Sequence, residues 1–167
     1  MQVGKDFMSV EPDEFNGFRE SIPEDCFYLA DKLRYEDKRE IIASTGMPPR
    51  NALIKSYAHS QDCFTILDTN DVPCGIFGVS KDGGIWLLAS DDIYRIRFSF
   101  LRESKKVVQF LNTKYNPLWN YVDCRNTLHI KWLKWCGFVF LRKINYGVLN
   151  LPFYEFIRVC VSNQQQH

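Results

Sequence analysis

The sequence has almost no excess charge and no long apolar run. Its 21 Lys and Arg residues balance 20 Asp and Glu residues, which leaves a formal net charge of +1. So small a charge argues against affinity based on neutralising nucleic-acid phosphates, and we expect no nucleic-acid partner. No stretch approaches the roughly 18 uninterrupted apolar residues of a membrane span, and residues 1–13 lack the apolar core of a signal peptide. We therefore expect a soluble intracellular protein without a membrane span.

Short metal-ligand spacings are also missing from the sequence. The six cysteines form no C-x-x-C pair, and the three histidines lie far apart. Structural metal sites usually draw on closely spaced Cys and His residues, so no metal site is expected. In a reducing compartment the cysteines are interpreted as small buried thiols. They are Cys26, Cys63, Cys74, Cys124, Cys136 and Cys160.

The chain is rich in residues that fill a core. Hydrophobic residues make up 46% of the 167 positions and aromatic residues 15%. This length and composition predict a single domain over residues 1–167, with an N-terminal extension at 1–20 and a frayed tail at 162–167. No repeat or interdomain linker interrupts it.

Periodicity and capping residues predict the order of the elements. Ser21 and Glu24 have the spacing of a helix capping box, and Gly46 and Gly137 follow predicted helix ends. Asn126 is a suitable cap for the helix that precedes Gly137. The predicted helices span about 35–44, 50–59, 99–115 and 126–136, and the predicted strands span 63–68, 73–80, 84–90, 118–123, 138–143 and about 148–161. This order predicts an α+β (mixed α/β) fold in which helices cover one sheet.

The 126–136 helix carries an apolar stripe, for which we predict a core position. The stripe contains Leu128, Trp132, Trp135 and Cys136. His129 is interpreted as a peripheral, hydrogen-bonded side chain, and a general-base role is the alternative.

The segment from Asn126 to Phe138 resembles the last core helix of the GCN5-related N-acetyltransferase (GNAT) superfamily. In that family an Asn opens the helix and Gly-Phe closes it, as Asn126, Gly137 and Phe138 do here. More narrowly, segments 86–90, 118–123 and 126–138 resemble phage-encoded members related to internal virion protein A of short-tailed coliphages. The likeness extends from about residue 25 onward.

The resemblance implies a mostly antiparallel central sheet with a V-shaped splay and helices on both faces. It also implies that acetyl-CoA, or another acyl-CoA, binds in the gap between strands 84–90 and 118–123. Backbone groups of Leu88, Ala89 and Ser90 would pair with the pantetheine arm. The pyrophosphate would lie at the next helix start, beside Arg95, Arg97 and Ser99, and Asn126 would also contact the cofactor.

Two departures from the family pattern keep alternatives open. The family's phosphate loop is rich in glycine, whereas residues 91–100 contain none and include Asp91 and Asp92. Arg95 and Arg97 are therefore either phosphate contacts or the exposed face of an extended segment. Asn126 is either a cofactor contact or simply a helix cap. The family's general-acid Tyr aligns with Leu133, so no catalytic residue is assigned.

Two functions follow from this resemblance. The first is a phage-encoded acyltransferase that moves an acyl group, in the simplest case acetyl, from acyl-CoA to an amine. The alternative is a non-catalytic virion or host-interaction protein that retains the fold with a degenerate cofactor loop. The expected partners are acyl-CoA and a host or virion protein, and the expected location is the host cytoplasm or the virion.

Overall fold

The computed structural model describes residues 15–161, and the predicted frayed tail lies outside this range. Within this range the structure has five α-helices and seven strands, with one 3-10 helix before the longest α-helix. In order they are β1 (Phe18–Glu20), α1 (Pro23–Ala30), α2 (Tyr35–Thr45), α3 (Pro49–His59), β2 (Ser60–Leu67), β3 (Pro73–Ser80), β4 (Ile85–Ala89), the 3-10 helix (Asp91–Ile96), α4 (Arg97–Lys114), β5 (Leu118–Asp123), α5 (Thr127–Trp135), β6 (Val139–Tyr146) and β7 (Leu151–Arg158).

The strands form two antiparallel sheets that meet at one point. The first has the order β1-β2-β3-β4 and the second the order β5-β7-β6. Gly84 and Trp119 form a single parallel bridge between them, and the Trp119 N–H donates to the Gly83 carbonyl at 3.0 Å. Beyond this bridge β4 and β5 are not paired. The sheets therefore splay apart from a common base, as the resemblance implied.

Helices cover both faces of the first sheet. Phe77 and Leu87 pack with α4 and α5 residues in one buried cluster. Ile76 and Leu88 pack with α1 and α3 residues in the other. Successive strand side chains point to opposite faces, so these neighbouring residues serve two cores. The predicted α+β class is confirmed.

Capping chemistry fixes several of the element boundaries. Gly46 ends α2 in the left-handed conformation at φ +68°, and Gly137 follows α5 at φ +85°. Asn126 caps α5 by accepting a hydrogen bond from the His129 N–H at 3.4 Å. Each of these predicted signals is confirmed.

The predicted start of α1 is wrong by one position. Asp25, rather than Glu24, accepts the N–H of the residue before the helix, Ile22, at 3.0 Å. The Ser21 hydroxyl instead lies 2.8 Å from that of Thr65. The reason is that Asp25 is buried beside Thr65 and is held there by Arg19.

Other expectations near the chain ends are corrected as well. Residues 18–20, expected in an N-terminal extension, form β1 and pair with β2. The strand predicted at 138–143 continues as β6 to Tyr146, and the turn to β7 lies at 147–150. Trp135, expected in the core, is 48% exposed.

Within residues 15–161, none of the helices combines the length and hydropathy that a membrane crossing requires.

Candidate functional site

A cavity, here called the chamber, lies between the diverging strands β4 and β5. It has a volume of about 220 Å³ and is closed on one side by α2 and α3. Its walls combine aromatic rings with a few polar groups, the usual composition of a small-molecule site. Those that matter below are Glu40, Leu87, Asn120, Tyr121, His129 and Trp132.

A second cavity, here called the groove, runs from the end of β4 toward α4 and α5. Its volume is about 340 Å³, and its walls are almost entirely apolar. Leu87, His129 and Trp132 line both the groove and the chamber. The two spaces therefore adjoin at these three side chains.

A buried polar network joins α2 to the ends of both diverging strands. The Ala89 N–H at the end of β4 donates to Asp37 Oδ2 at 3.0 Å. The Asp123 N–H at the end of β5 donates to Glu40 Oε1 at 2.6 Å. The Asn126 amide lies between the two carboxylates and donates to Asp37 Oδ1 and Glu40 Oε2, each at 3.0 Å. We call Asp37, Glu40 and Asn126 the α2 network.

His129 lies beside the α2 network, at the wall shared by the two cavities. Its Nδ1 atom is 3.5 Å from Glu40 Oε2, and its side chain is 11% exposed. Its Nε2 atom makes no hydrogen bond within residues 15–161. This environment differs from the peripheral position predicted for His129, because the helix turns the ring toward the chamber.

Asp37 is an ionisable side chain in a buried position. Its side chain is only 1% exposed, and burial raises the pKa of this carboxyl even though His129 and Arg34 lower it. Arg34 lies 3.4 Å from Asp37, and its Nε atom is buried without a partner within residues 15–161. Buried ion pairs often add little net stability, so stability alone does not account for the Arg34–Asp37 pair.

The three β4 residues predicted to pair with pantetheine differ in the direction of their backbone groups. The Ser90 N–H donates to Cys74 within the sheet, and the register places Leu88 opposite Ile76. The direction of the backbone groups alternates along an antiparallel strand. Leu88 and Ser90 therefore direct their N–H and C=O groups toward β3, and Leu87 and Ala89 direct theirs into the gap. The expected backbone pairing is wrong for Leu88 and Ser90. A contact with cofactor through Ala89 remains a prediction.

The segment with the two arginines is a 3-10 helix followed by α4, rather than an extended strand. Arg95 is 80% exposed at its side chain and lies 3.6 Å from Asp92. Arg97 lines the groove and stacks on Phe98, with its guanidinium carbon 4.8 Å from the ring centre. Ser99 does not cap α4; its hydroxyl donates to the Ile96 carbonyl at 3.0 Å. The structure brings only Arg97 of these three to the groove.

Other polar residues of the region have structural partners. Ser104 is buried and accepts a hydrogen bond from Trp132 Nε1 at 3.0 Å, so it contributes to packing between α4 and α5. Burial raises the pKa of the Cys124 thiol, which opposes the thiolate form needed by a nucleophile. Leu133 is buried, and it has no proton to donate.

Asp37 and Glu40 were not among the predicted site residues, although one signal was present. Asp37 lies four positions before Ile41, which is buried, so both project from the same side of α2. A charged residue that shares a helix face with a core residue indicates a buried polar network. The contact with Asn126 joins residues 89 positions apart, and no local pattern predicts it.

Part of the chain is similar in sequence to a phage protein family. The family model described as "Bacteriophage T7, probable scaffold protein Gp13" matches residues 63–144. The probable scaffold protein gp13 of Escherichia phage T7 is 34% identical over 89 residues. That alignment covers 51% of this chain and 63% of the T7 protein, so the chain spans less than two thirds of this curated relative.

Solved acetyltransferases share the fold at low sequence identity. A spermidine N-acetyltransferase from Vibrio cholerae, in complex with CoA and spermine, gives a TM-score of 0.62 at 12% identity over 85% of this chain and 94% of that one. A GNAT-family acetyltransferase from Streptococcus pneumoniae gives 0.56 at 13% identity over 85% and 97% of the two chains. AAC(6')-Ib, in complex with ribostamycin and coenzyme A, gives 0.60 at 15% identity over 85% and 92%. The chain therefore has the fold of the GNAT acetyltransferases, and its middle part is similar in sequence to gp13 of phage T7.

Proposed function

We propose that this protein is an acyl-CoA-dependent N-acyltransferase, encoded by a phage, that transfers an acyl group to an amine. In the simplest case the acyl group is acetyl. The observation that carries the proposal is that the groove and the chamber adjoin at His129, Leu87 and Trp132. A reaction between two substrates requires two adjoining sites with a proton acceptor between them.

The groove suits the acyl-pantetheine end of acyl-CoA better than the phosphate end. Leu87 directs its backbone N–H and C=O into the gap, and the described residues offer them no partner. At the mouth of the groove Arg97 supplies a guanidinium, which binds phosphate well. The glycine-free turn prevents close approach of backbone to phosphate, so the Arg97 side chain would hold that end.

His129 is the residue we assign as proton acceptor for the attacking amine. Its Nε2 atom makes no hydrogen bond within residues 15–161, and Glu40 Oε2 lies 3.5 Å from its Nδ1 atom, on the side away from the incoming amine. Acyl-CoA, when bound, supplies an activated thioester. The Leu87 N–H, directed into the gap, would donate to the acyl carbonyl oxygen.

The test is an acetyl-CoA turnover assay with a panel of amines, read by release of the CoA thiol. We expect His129→Gln to lower kcat by about 10²-fold or more with little change in KM, the usual cost of losing a general base. His59→Gln is the matched control, because His59 is exposed at the end of α3. No CoA release above background with any amine would contradict the proposal.

A second function, a non-catalytic phage protein that contacts a virion or host protein, is favoured by one observation. Both gap-facing groups of Ala89 are already hydrogen-bonded, to Asp37 and to the Arg34 backbone. The name of the T7 relative, a probable scaffold protein, is in keeping with this reading. Such a protein in the virion or host cytoplasm would neither bind acetyl-CoA nor release the CoA thiol.

A further inference from the structure

The start of α2 occupies the part of β4 that faces the splay. The Arg34 backbone N–H donates to the Ala89 carbonyl at 2.8 Å, and Leu33 bridges antiparallel to Ser90. The Asp37 carboxylate accepts the Ala89 N–H at 3.0 Å. At this position β4 has, in effect, a neighbouring strand supplied by its own chain.

The next gap-facing residue of β4 is different. Leu87 lies two positions before Ala89, and its side chain borders both the groove and the chamber. Its backbone groups have no partner within residues 15–161. An acyl-pantetheine ligand therefore finds one free position on β4, at Leu87, for its acyl carbonyl, and one that is taken, at Ala89, for a pantetheine amide.

Of the two groups that occupy Ala89, only Asp37 acts through a side chain. Its other oxygen accepts from Asn126 Nδ2 at 3.0 Å and lies 3.4 Å from the Arg34 guanidinium. The Asp37 carboxylate therefore has three donors, the Ala89 N–H, the Asn126 amide and the Arg34 guanidinium, while the Arg34 Nε atom remains without a partner among the described residues. An incoming amide carbonyl would compete with Asp37 only for the Ala89 N–H, since the other Asp37 oxygen would keep its contacts with Asn126 and Arg34.

We infer that Asp37 is a specificity-determining residue, whose carboxylate holds the β4 position needed by one pantetheine amide, so that acyl-CoA binds fully only after displacing it. This inference rests on the proposed function. It predicts that the parent protein binds CoA more weakly than the fold allows. It also predicts that the affinity is lost at the contacts of the pantetheine arm rather than at those of the phosphates.

The experiment is calorimetric titration of CoA and of pantetheine into the parent protein and two variants. Asp37→Ala frees the Ala89 N–H, and we expect it to bind both ligands about fivefold or more tightly, the effect of gaining one hydrogen bond. Glu36→Ala is the matched control, because Glu36 is adjacent, lies 3.6 Å from Arg34 and has no contact with Ala89. This control should bind both ligands with the parent's affinity.

The outcomes separate the inference from the proposed function. Equal affinity in all three proteins would overturn the role of Asp37 and leave the acyltransferase proposal standing. No binding by any of them would overturn both.

A second measurement uses the parent protein alone and does not depend on how Asp37→Ala folds. The Ala89 amide resonance is followed by NMR while CoA is added to the labelled parent. A large shift on saturation is expected, because the amide exchanges a carboxylate acceptor for an amide carbonyl. An Ala89 resonance that does not move at saturating CoA would overturn the inference.

Discussion

Asn126, predicted to be either a cofactor contact or a helix cap, caps α5 and also belongs to the α2 network. Its side-chain oxygen caps α5, while its amide nitrogen separates the carboxylates of Asp37 and Glu40. The amide is neutral, yet it donates to two acceptors that would otherwise repel each other. The Asn126 side chain, which is 1% exposed, therefore both caps α5 and donates to the two carboxylates of the α2 network.

A pair of substitutions at Asn126 distinguishes the cap from the network. Asn126→Ala should destabilise the protein by about 2–4 kcal/mol, because it removes the cap and leaves two buried carboxylates short of a donor. Asn126→Asp keeps the cap acceptor but adds a third carboxylate, so it should also destabilise at pH 7. Denaturant unfolding measures both changes.

The free energy of unfolding of Asn126→Asp should also depend on pH. Mutual repulsion raises a carboxyl pKa in the folded Asn126→Asp protein above its unfolded value of about 4. A group with a raised folded pKa favours folding at low pH, and this contribution is lost as the pH rises through the folded pKa. The variant should therefore approach the parent's stability on acidification. A variant as stable as the parent at pH 7 would show that Asn126 acts only as a cap.

At the scale of the element, α5 has one buried face and one half-exposed tryptophan. Trp132 is 5% exposed and stacks on Phe100, with ring centres 6.0 Å apart. Trp135, one turn later, is 48% exposed, and its indole N–H donates to the Leu101 carbonyl at 2.9 Å. Of these two tryptophans, only Trp132 packs between α4 and the first sheet.

The two tryptophans make a matched pair of truncations. Trp132→Ala should cost about 3–5 kcal/mol of unfolding free energy, because it empties a large core site. Trp135→Ala should cost only about 1 kcal/mol, since it loses one hydrogen bond and a partly solvated surface. Thermal or denaturant unfolding without ligand measures both. Equal losses would show that the buried face of α5 is assigned wrongly.

Elements with strong boundary signals were predicted to within a residue or two. β5 matches its predicted range because Pro117 precedes it, and α5 matches because Asn126 caps it and Gly137 ends it. The 3-10 helix Asp91–Ile96 was missed, since alternation of Arg95, Ile96 and Arg97 is typical of a strand. Its actual conformation depends on burial of Ile93 and Ile96 under the sheet, a tertiary contact.

The candidate site was predictable only in part, for the same reason. The helix that carries Asn126 and the two strands that border the splay follow from local patterns. Glu40 and His129 meet across 89 positions of sequence, and Asp37 reaches β4 across 52. Contacts of this range are set by how helix α2 packs over the splay, which periodicity does not specify.

At the scale of the whole molecule, two sheets share a base and are held together at their open ends by α2. The Gly84–Trp119 bridge forms the base, and Asp37 and Glu40 bond to the far ends of β4 and β5. The chamber lies between these attachments, and the groove adjoins it at Leu87, His129 and Trp132. These two adjoining cavities are the site in which acyl-CoA would bind.

Calorimetric titration of acetyl-CoA into the parent protein, paired with its melting curve, tests this claim most directly. We expect a measurable heat of binding with a Kd on the order of micromolar. We also expect a rise of several degrees in Tm at about a hundredfold excess over Kd, because a ligand that binds only the folded state stabilises it. No heat, together with an unchanged Tm at millimolar acetyl-CoA, would contradict the acyltransferase account and favour the non-catalytic phage protein.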